Sequence, residues 1–104
     1  MITPGEILWC AQEIYGVDVG VIISKRREHR QVRARRAAMR LMREVGYSPR
    51  EIGDVFNCCL NNVNHALRSM RNAFDTDSNE RKDFNRARLL SGLEPTETME
   101  RISK

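Results

Sequence analysis

Between Ser24 and Arg43 stand nine lysines and arginines (Lys25, Arg26, Arg27, Arg30, Arg33, Arg35, Arg36, Arg40 and Arg43) against a single acid, Glu28. Cations at this density suit one kind of chemistry, the binding of a polyanion, because each Lys or Arg beside a phosphate releases condensed counterions. The segment carries +8 on a remainder of −4, so the net +4 is concentrated rather than spread. A solvated helix face is the plain alternative for any run of charge. A second polar set follows at Asn61, Asn62, Asn64, His65 and Arg68. Asparagine pairs bidentately with adenine and arginine with guanine, so this set has the donors and acceptors to read base edges. Asn61 or Asn62 could equally serve as a cap at a helix start.

Other chemistries lack their residues. His29, His65 and the three cysteines have neither C-x-x-C nor H-x-x-x-H spacing, so no metal site is expected. The chain holds no G-x-x-x-x-G-K-[ST], G-x-G-x-x-G or G-x-S-x-G, and the expectation is a non-enzyme without a cofactor. Cys58 and Cys59 are neighbours in which a disulfide would be strained, so reduced thiols buried as small apolar residues are expected. Trp9 and the methionines sit mostly at core spacing and read as packing. No apolar run reaches membrane-spanning length, and the residues before Ile7 lack a signal-peptide pattern. The expected setting is cytoplasmic, in a bacterial or phage-encoded protein associated with the nucleoid.

The elements that would position these residues are all helical, and 104 residues suit one small core. Thr3, Pro4 and Glu6 form a capping box with a first-position proline, and Gly16 supplies a left-handed stop. Asp18 opens a short helix that ends as the basic segment begins at Ser24. A third helix is expected from about Arg30 to Val45, closed by Gly46. Ala34, Ala38, Leu41, Met42 and Val45 share its apolar side, and Arg33, Arg36, Arg40 and Arg43 share the other. A stripe of four guanidinium groups repels itself in water, so the pattern predicts phosphates facing it. Ser48-Pro49-Arg50-Glu51 repeats the capping grammar for a fourth helix that stops at Asn57. A fifth follows the turn Asn57-Cys58-Cys59, with Val63, Ala66, Leu67, Met70 and Phe74 inward and Asn61, His65, Arg68 and Asn72 outward. Residues 75–79 read as a polar linker, and a sixth helix from Glu80 to Leu90 places Phe84, Ala87 and one of Leu89 or Leu90 inward. The expected architecture is an all-α bundle of about six helices containing a helix-turn-helix, with a domain at 1–92 and a polar, frayed tail at 93–104.

In this order the elements resemble the C-terminal DNA-binding domain of the bacterial replication initiator DnaA, over about Ile7 to Leu90. Tyr15 to Val17 and Ile23-Ser24-Lys25-Arg26-Arg27 look like that family's approach to its basic loop. Ala38-Met39-Arg40-Leu41-Met42-Arg43-Glu44 is similar to its A-M-x-L-x-R-E helix, and residues 48–56 to its S-L-P-E-I-G-x-x-F. Val63, His65 and Ala66 match the V-x-H-A of its recognition helix. The resemblance implies a recognition helix in the major groove and an arginine of the basic loop in the adjacent minor groove. By position that arginine is Arg27, with Arg26 its neighbour. It also implies phosphate or base contacts from Arg35, Arg36 and Arg43, and a DNA contact from His65. The family's G-G-R-D-H-T-T is replaced by Asn57-Cys58-Cys59-Leu60-Asn61-Asn62, one residue shorter, so its base code is not carried over. The family's ATPase domain has no counterpart in these residues.

Two functions are therefore expected. In the first, a double-stranded DNA-binding protein of replication or transcription uses Lys25, Arg26, Arg30, Arg36, Arg40 and Arg43 on phosphates, Arg27 in the minor groove, and Asn61, Asn62, Asn64 and Arg68 on bases. Six engaged phosphates predict a log-log salt slope of about −5. In the second, a protein-interaction module of the same fold binds a replication or transcription protein without reading sequence.

Overall fold

Polar side-chain caps mark the start of four of the six helices, two of them with a first-turn proline. The computed structural model describes residues 2–25 and 27–96 together with Met99. Its helices are α1 (Pro4–Tyr15), α2 (Val19–Ile22), α3 (His29–Val45), α4 (Pro49–Phe56), α5 (Leu60–Thr76) and α6 (Ser78–Leu90), with no strand among the described residues. Thr3 and Ser48 each accept from the backbone N–H three residues on, and Glu6 and Glu51 each reach back to the cap backbone. Such a reciprocal box satisfies two donors that helix geometry leaves unpaired. Gly16 ends α1 in the left-handed region at φ 68°. Asn57 ends α4 at φ 51°, a conformation that asparagine tolerates better than most residues.

Helix α3 packs against all five others and forms the axis of the bundle. Ala34, Ala37 and Ala38 are fully buried along it, and these small side chains allow close approach by α1 and α5. The core is completed by Ile7, Ile22, Leu41, Met42, Ile52, Val63, Met70, Phe74 and Phe84. Phe74 and Phe84 meet edge-to-face, with centroids 6.0 Å apart and planes at 87°. This geometry sets the positive ring edge against the negative face and joins α5 to α6.

Gly53 governs the join between α4 and α5. A Cβ there would lie 2.9 Å from the Cys58 carbonyl oxygen, so only glycine lets the turn lie this close against α4. The Cys58 N–H donates to the Gly53 carbonyl at 3.0 Å across the same gap. The turn is thus clamped to the helix before it, and α5 leaves at an angle set by that contact.

Five expectations change. The linker at 75–79 shrinks to one residue, because α5 runs to Thr76 and Asp77 is both its C-cap and the N-cap of α6. Neither Leu89 nor Leu90 turns inward; they are 61% and 46% exposed. Trp9 is half exposed rather than packed. Cys59 is exposed and Cys58 only half-buried, because the turn lies on the surface; all three cysteines are free thiols. Within the expected tail, Thr96 is anchored through Asn85 and Met99 is buried in the core, while residues 97–98 and 100–104 lie outside the described residues.

Candidate nucleic-acid interface

The basic segment divides in two when it folds. Its first part is the loop leading from α2 into α3, where Lys25 and Arg27 are exposed, followed by exposed Arg30 in the first turn of α3. That turn contains no acid, and Glu28 at its N-cap makes no side-chain cap hydrogen bond. Cations at the positive end of a helix dipole gain nothing for the fold. Arg26 lies outside the described residues.

The second part turns inward, which corrects the expected phosphate-facing stripe. Arg33 bonds Glu80 through Nε and Asp83 through Nη2, the latter at 3.1 Å, and its guanidinium lies 5.5 Å from the centroid of the Tyr15 ring. Burial opposes its charge, but Glu80 and Asp83 together hold its pKa above the ordinary arginine value. The same carboxylates, after burial itself, push the Tyr15 hydroxyl upward, so Tyr15 stays neutral. Arg36 reaches the same Glu80 oxygen at 3.4 Å. Arg40 is only 4% exposed and donates to Glu44 at 2.6 Å. Burial lowers its pKa against the pull of Glu44. Arg43 is half-buried beside Arg40 near the helix end.

The carboxylates responsible belong mostly to α6. Arg88 of that helix forks onto Glu44 with Nε to Oε1 at 2.8 Å and Nη2 to Oε2 at 2.9 Å. Its Nη1 donates to Asn85 and Thr96, and the guanidinium lies 4.9 Å from the Phe84 centroid and 5.2 Å from that of Phe74. This bidentate, largely desolvated arrangement ties α3, α6 and the chain beyond α6 together. The alternation of α3 thus serves two interiors, an apolar one toward α1 and α5 and an ionic one toward α6.

Arg35 takes a different course from either part. Its Nε donates to the Ile22 carbonyl at 3.0 Å and its Nη2 to the Ser24 carbonyl at 2.6 Å. Burial lowers its pKa, and neighbouring Arg27 pushes the same way while Cys58 opposes. Arg35 is therefore a bridge between the loop and α3.

A groove of about 970 Å³ separates the loop from α5. Lys25 and Arg27 line one wall, Asn62, His65 and Ser69 the other, and Arg35, Asp54 and Cys58 are among the residues between them. The three polar residues from α5 recur at intervals of three and four, one stripe of the helix, with Ala66 beside them. The Cys58 thiol is pushed up by burial and by Cys59, against the pull of Lys25 and Arg35 across the groove, so it stays protonated near neutral pH. Cys59 caps α5 without a side-chain hydrogen bond, leaving the first amides of that helix directed outward from its start.

The expected reader residues are sorted by this geometry. Asn62 and His65 line the groove, whereas Asn61 and Arg68 are exposed beside it and Asn64 is half-buried. Asn61 and Asn62 are not the N-cap, which is Cys59. Sequence reasoning missed Asp54, Asn57 and Ser69 at the groove. Ser69 could have been found from its spacing with Asn62 and His65, while Asp54 is brought there only by the α4–α5 turn. Among the described residues no cluster of His, Cys, Asp or Glu could hold a metal, and no helix is long and apolar enough to cross a membrane. Compared with known protein families, the chain matches none of their sequence models.

Proposed function

We propose that this protein binds double-stranded DNA, with α4 and α5 acting as a helix-turn-helix and the basic loop as a second point of contact. The observation that carries this reading is the single groove bordered by Lys25 and Arg27 on one side and by the polar stripe of α5 on the other. In a duplex, a minor groove is divided from the adjacent major groove by one sugar-phosphate strand. A protein with one arm in each groove must straddle that strand, and a channel with loop cations and α5 polar groups at its borders over a largely apolar lining has a shape that suits it.

In this mechanism Lys25 and Arg30 hold phosphates, and Arg27 enters the minor groove. Asn62, His65 and Ser69 face the strand or the base edges beyond it, with Asn61 and Arg68 on the exposed face of α5 beside them. Asn62 or Asn61 would favour adenine through a bidentate pair. The resemblance to the DnaA domain supports the same placement of Arg27 and His65, while the replaced turn implies a different preferred sequence. Arg33, Arg36 and Arg40 drop out, since each is already bonded to a carboxylate. With the two phosphates held by Lys25 and Arg30 instead of six, the log-log salt slope should be about −2.

Selection from random duplex DNA at physiological salt tests the reading. A recovered motif is expected, with Arg27→Ala relaxing A·T preference at one flank and Asn62→Ala relaxing one interior position. A wild-type protein that enriches nothing and whose binding is flat in salt would overturn it. The second reading, a protein-interaction module, is favoured by half-exposed Trp9 and by exposed Leu89 and Leu90, none of which lines the groove. Capture of a replication or transcription protein that Trp9→Ser abolishes, alongside absent sequence enrichment, would favour it.

A further inference from the structure

Arg35 forks onto two backbone carbonyls rather than onto a carboxylate. Its two donors close on carbonyls at the end of α2 and at Ser24, residues separated from it by 13 and 11 positions in the chain. Carbonyls in the last turn of a helix have no intrahelical partner, and a guanidinium is a good group to satisfy them. Ser24 is further held by its own hydroxyl, which donates to the Val21 carbonyl at 2.7 Å. The next residue is Lys25, and Arg27 stands two further on. The Arg35–Ser24 bond is therefore a fixed point directly before Lys25, the first of the two groove-lining cations.

We propose that Arg35 is a positioning residue, which holds the start of the basic loop so that Lys25 and Arg27 face α5 across the groove. This rests on the duplex-binding reading above. Arg35 thereby acts on DNA through Lys25 and Arg27 rather than through a phosphate of its own. Without the fork the loop keeps its charges but loses the arrangement that lets both walls grip one strand. A flexible arm pays the ordering entropy at binding, so affinity falls although no cation of the loop has been removed. Lysine is not an adequate replacement, because one ammonium on a flexible stem does not reproduce a planar fork over two carbonyls.

Two measurements on the full chain test this. Hydrogen exchange at the amides of Lys25, Arg27 and Glu28 is compared in wild type, Arg35→Ala and Arg35→Lys, with thermal melts verifying that each variant is folded. Several-fold faster exchange is expected in both variants and confined to the loop; unchanged exchange would overturn the proposal, whether or not the protein binds DNA. Affinity for a selected duplex is then measured for Arg27→Ala, Arg35→Ala, Arg35→Lys and the Arg27→Ala/Arg35→Ala double variant. The expected results are a double variant no weaker than the weaker single, no recovery with lysine, and a salt slope close to wild type in Arg35→Ala, because every phosphate-holding cation is kept, whereas a lost phosphate contact would reduce it by about one unit. Additive losses with full recovery in Arg35→Lys would make Arg35 a direct phosphate contact and overturn its positioning role. Absence of wild-type duplex binding would defeat the functional reading, and the exchange experiment would still decide whether Arg35 holds the loop.

Discussion

The two halves of the basic segment have similar composition and opposite fates. Around Lys25, Arg27 and Arg30 the side chains are exposed and α3 begins without an acid in its first turn. A few residues on, Arg33 and Arg36 meet Glu80 and Asp83 half-buried, and Arg40 is buried against Glu44. The difference lies in what is opposite, not in the arginines themselves. A buried ion pair contributes little net stability against an apolar alternative, yet losing one partner is costly because the other charge is left desolvated. The inward half should therefore respond to mutation through folding, and the outward half through binding.

Arg88→Ala should have the largest effect. It removes both bonds to Glu44, the contacts to Asn85 and Thr96, and the stacking on Phe74 and Phe84. A loss of about 3–5 kcal/mol is expected from a broken buried pair, read as a lower midpoint in urea unfolding. A loss within 0.5 kcal/mol, the usual range for surface positions, would place this contact with the outward half.

Glu80→Gln separates folding from binding most sharply. Two arginines lose the charge they share, and a cost of about 2 kcal/mol is expected from hydrogen bonds to a charged group. Because the change also raises the net charge by one, duplex affinity measured well below the melting temperature should stay level or rise. A fall in affinity with stability unchanged would reverse the assignment of the two halves.

Lys25→Ala should do the opposite. Stability is expected to stay within about 0.5 kcal/mol, while affinity falls and the salt slope shrinks by about one unit. Equal salt slopes for wild type and variant would remove Lys25 from the proposed interface.

The smallest effect is a pH dependence at Glu51. Hydrogen bonds to the Ser48 backbone and hydroxyl hold its carboxyl below the ordinary glutamate value. A depressed folded-state pKa means the unfolded chain takes up the proton first. The capping box therefore stabilises fully above the ordinary glutamate range and loses its contribution as pH falls through the lowered value. Glu51→Gln should flatten the acid limb of a stability-versus-pH curve slightly, and an identical limb in both proteins would count against the box.

Much of the fold was legible because its signals are local. Thr3-Pro4-Glu6 and Ser48-Pro49-Glu51 state their own helix starts, and Gly16 and Asn57 state the stops, within a few residues each. The inward apolar residues of α5 followed from a 3.6-residue period for the same reason. The candidate site was half legible. Lys25, Arg27, Asn62 and His65 were named from charge and spacing, and folding brings them to one groove. Arg33, Arg36 and Arg40 were assigned outward because periodicity identifies the faces of a helix without saying what covers the polar one.

By itself, then, the chain determines its helices, their caps, the apolar stripe of each and the concentration of positive charge ahead of α3. These depend on backbone hydrogen bonds and side chains a few residues apart. Only the tertiary structure decides which cations remain outside. The carboxylates of Glu80 and Asp83 lie 47 and 50 residues from Arg33, and Glu44 meets Arg88 across 44. No local rule pairs charges over such distances; they meet because burial of Phe74 and Phe84 brings α6 against α3, and the desolvation that follows requires each charge there to find an opposite one.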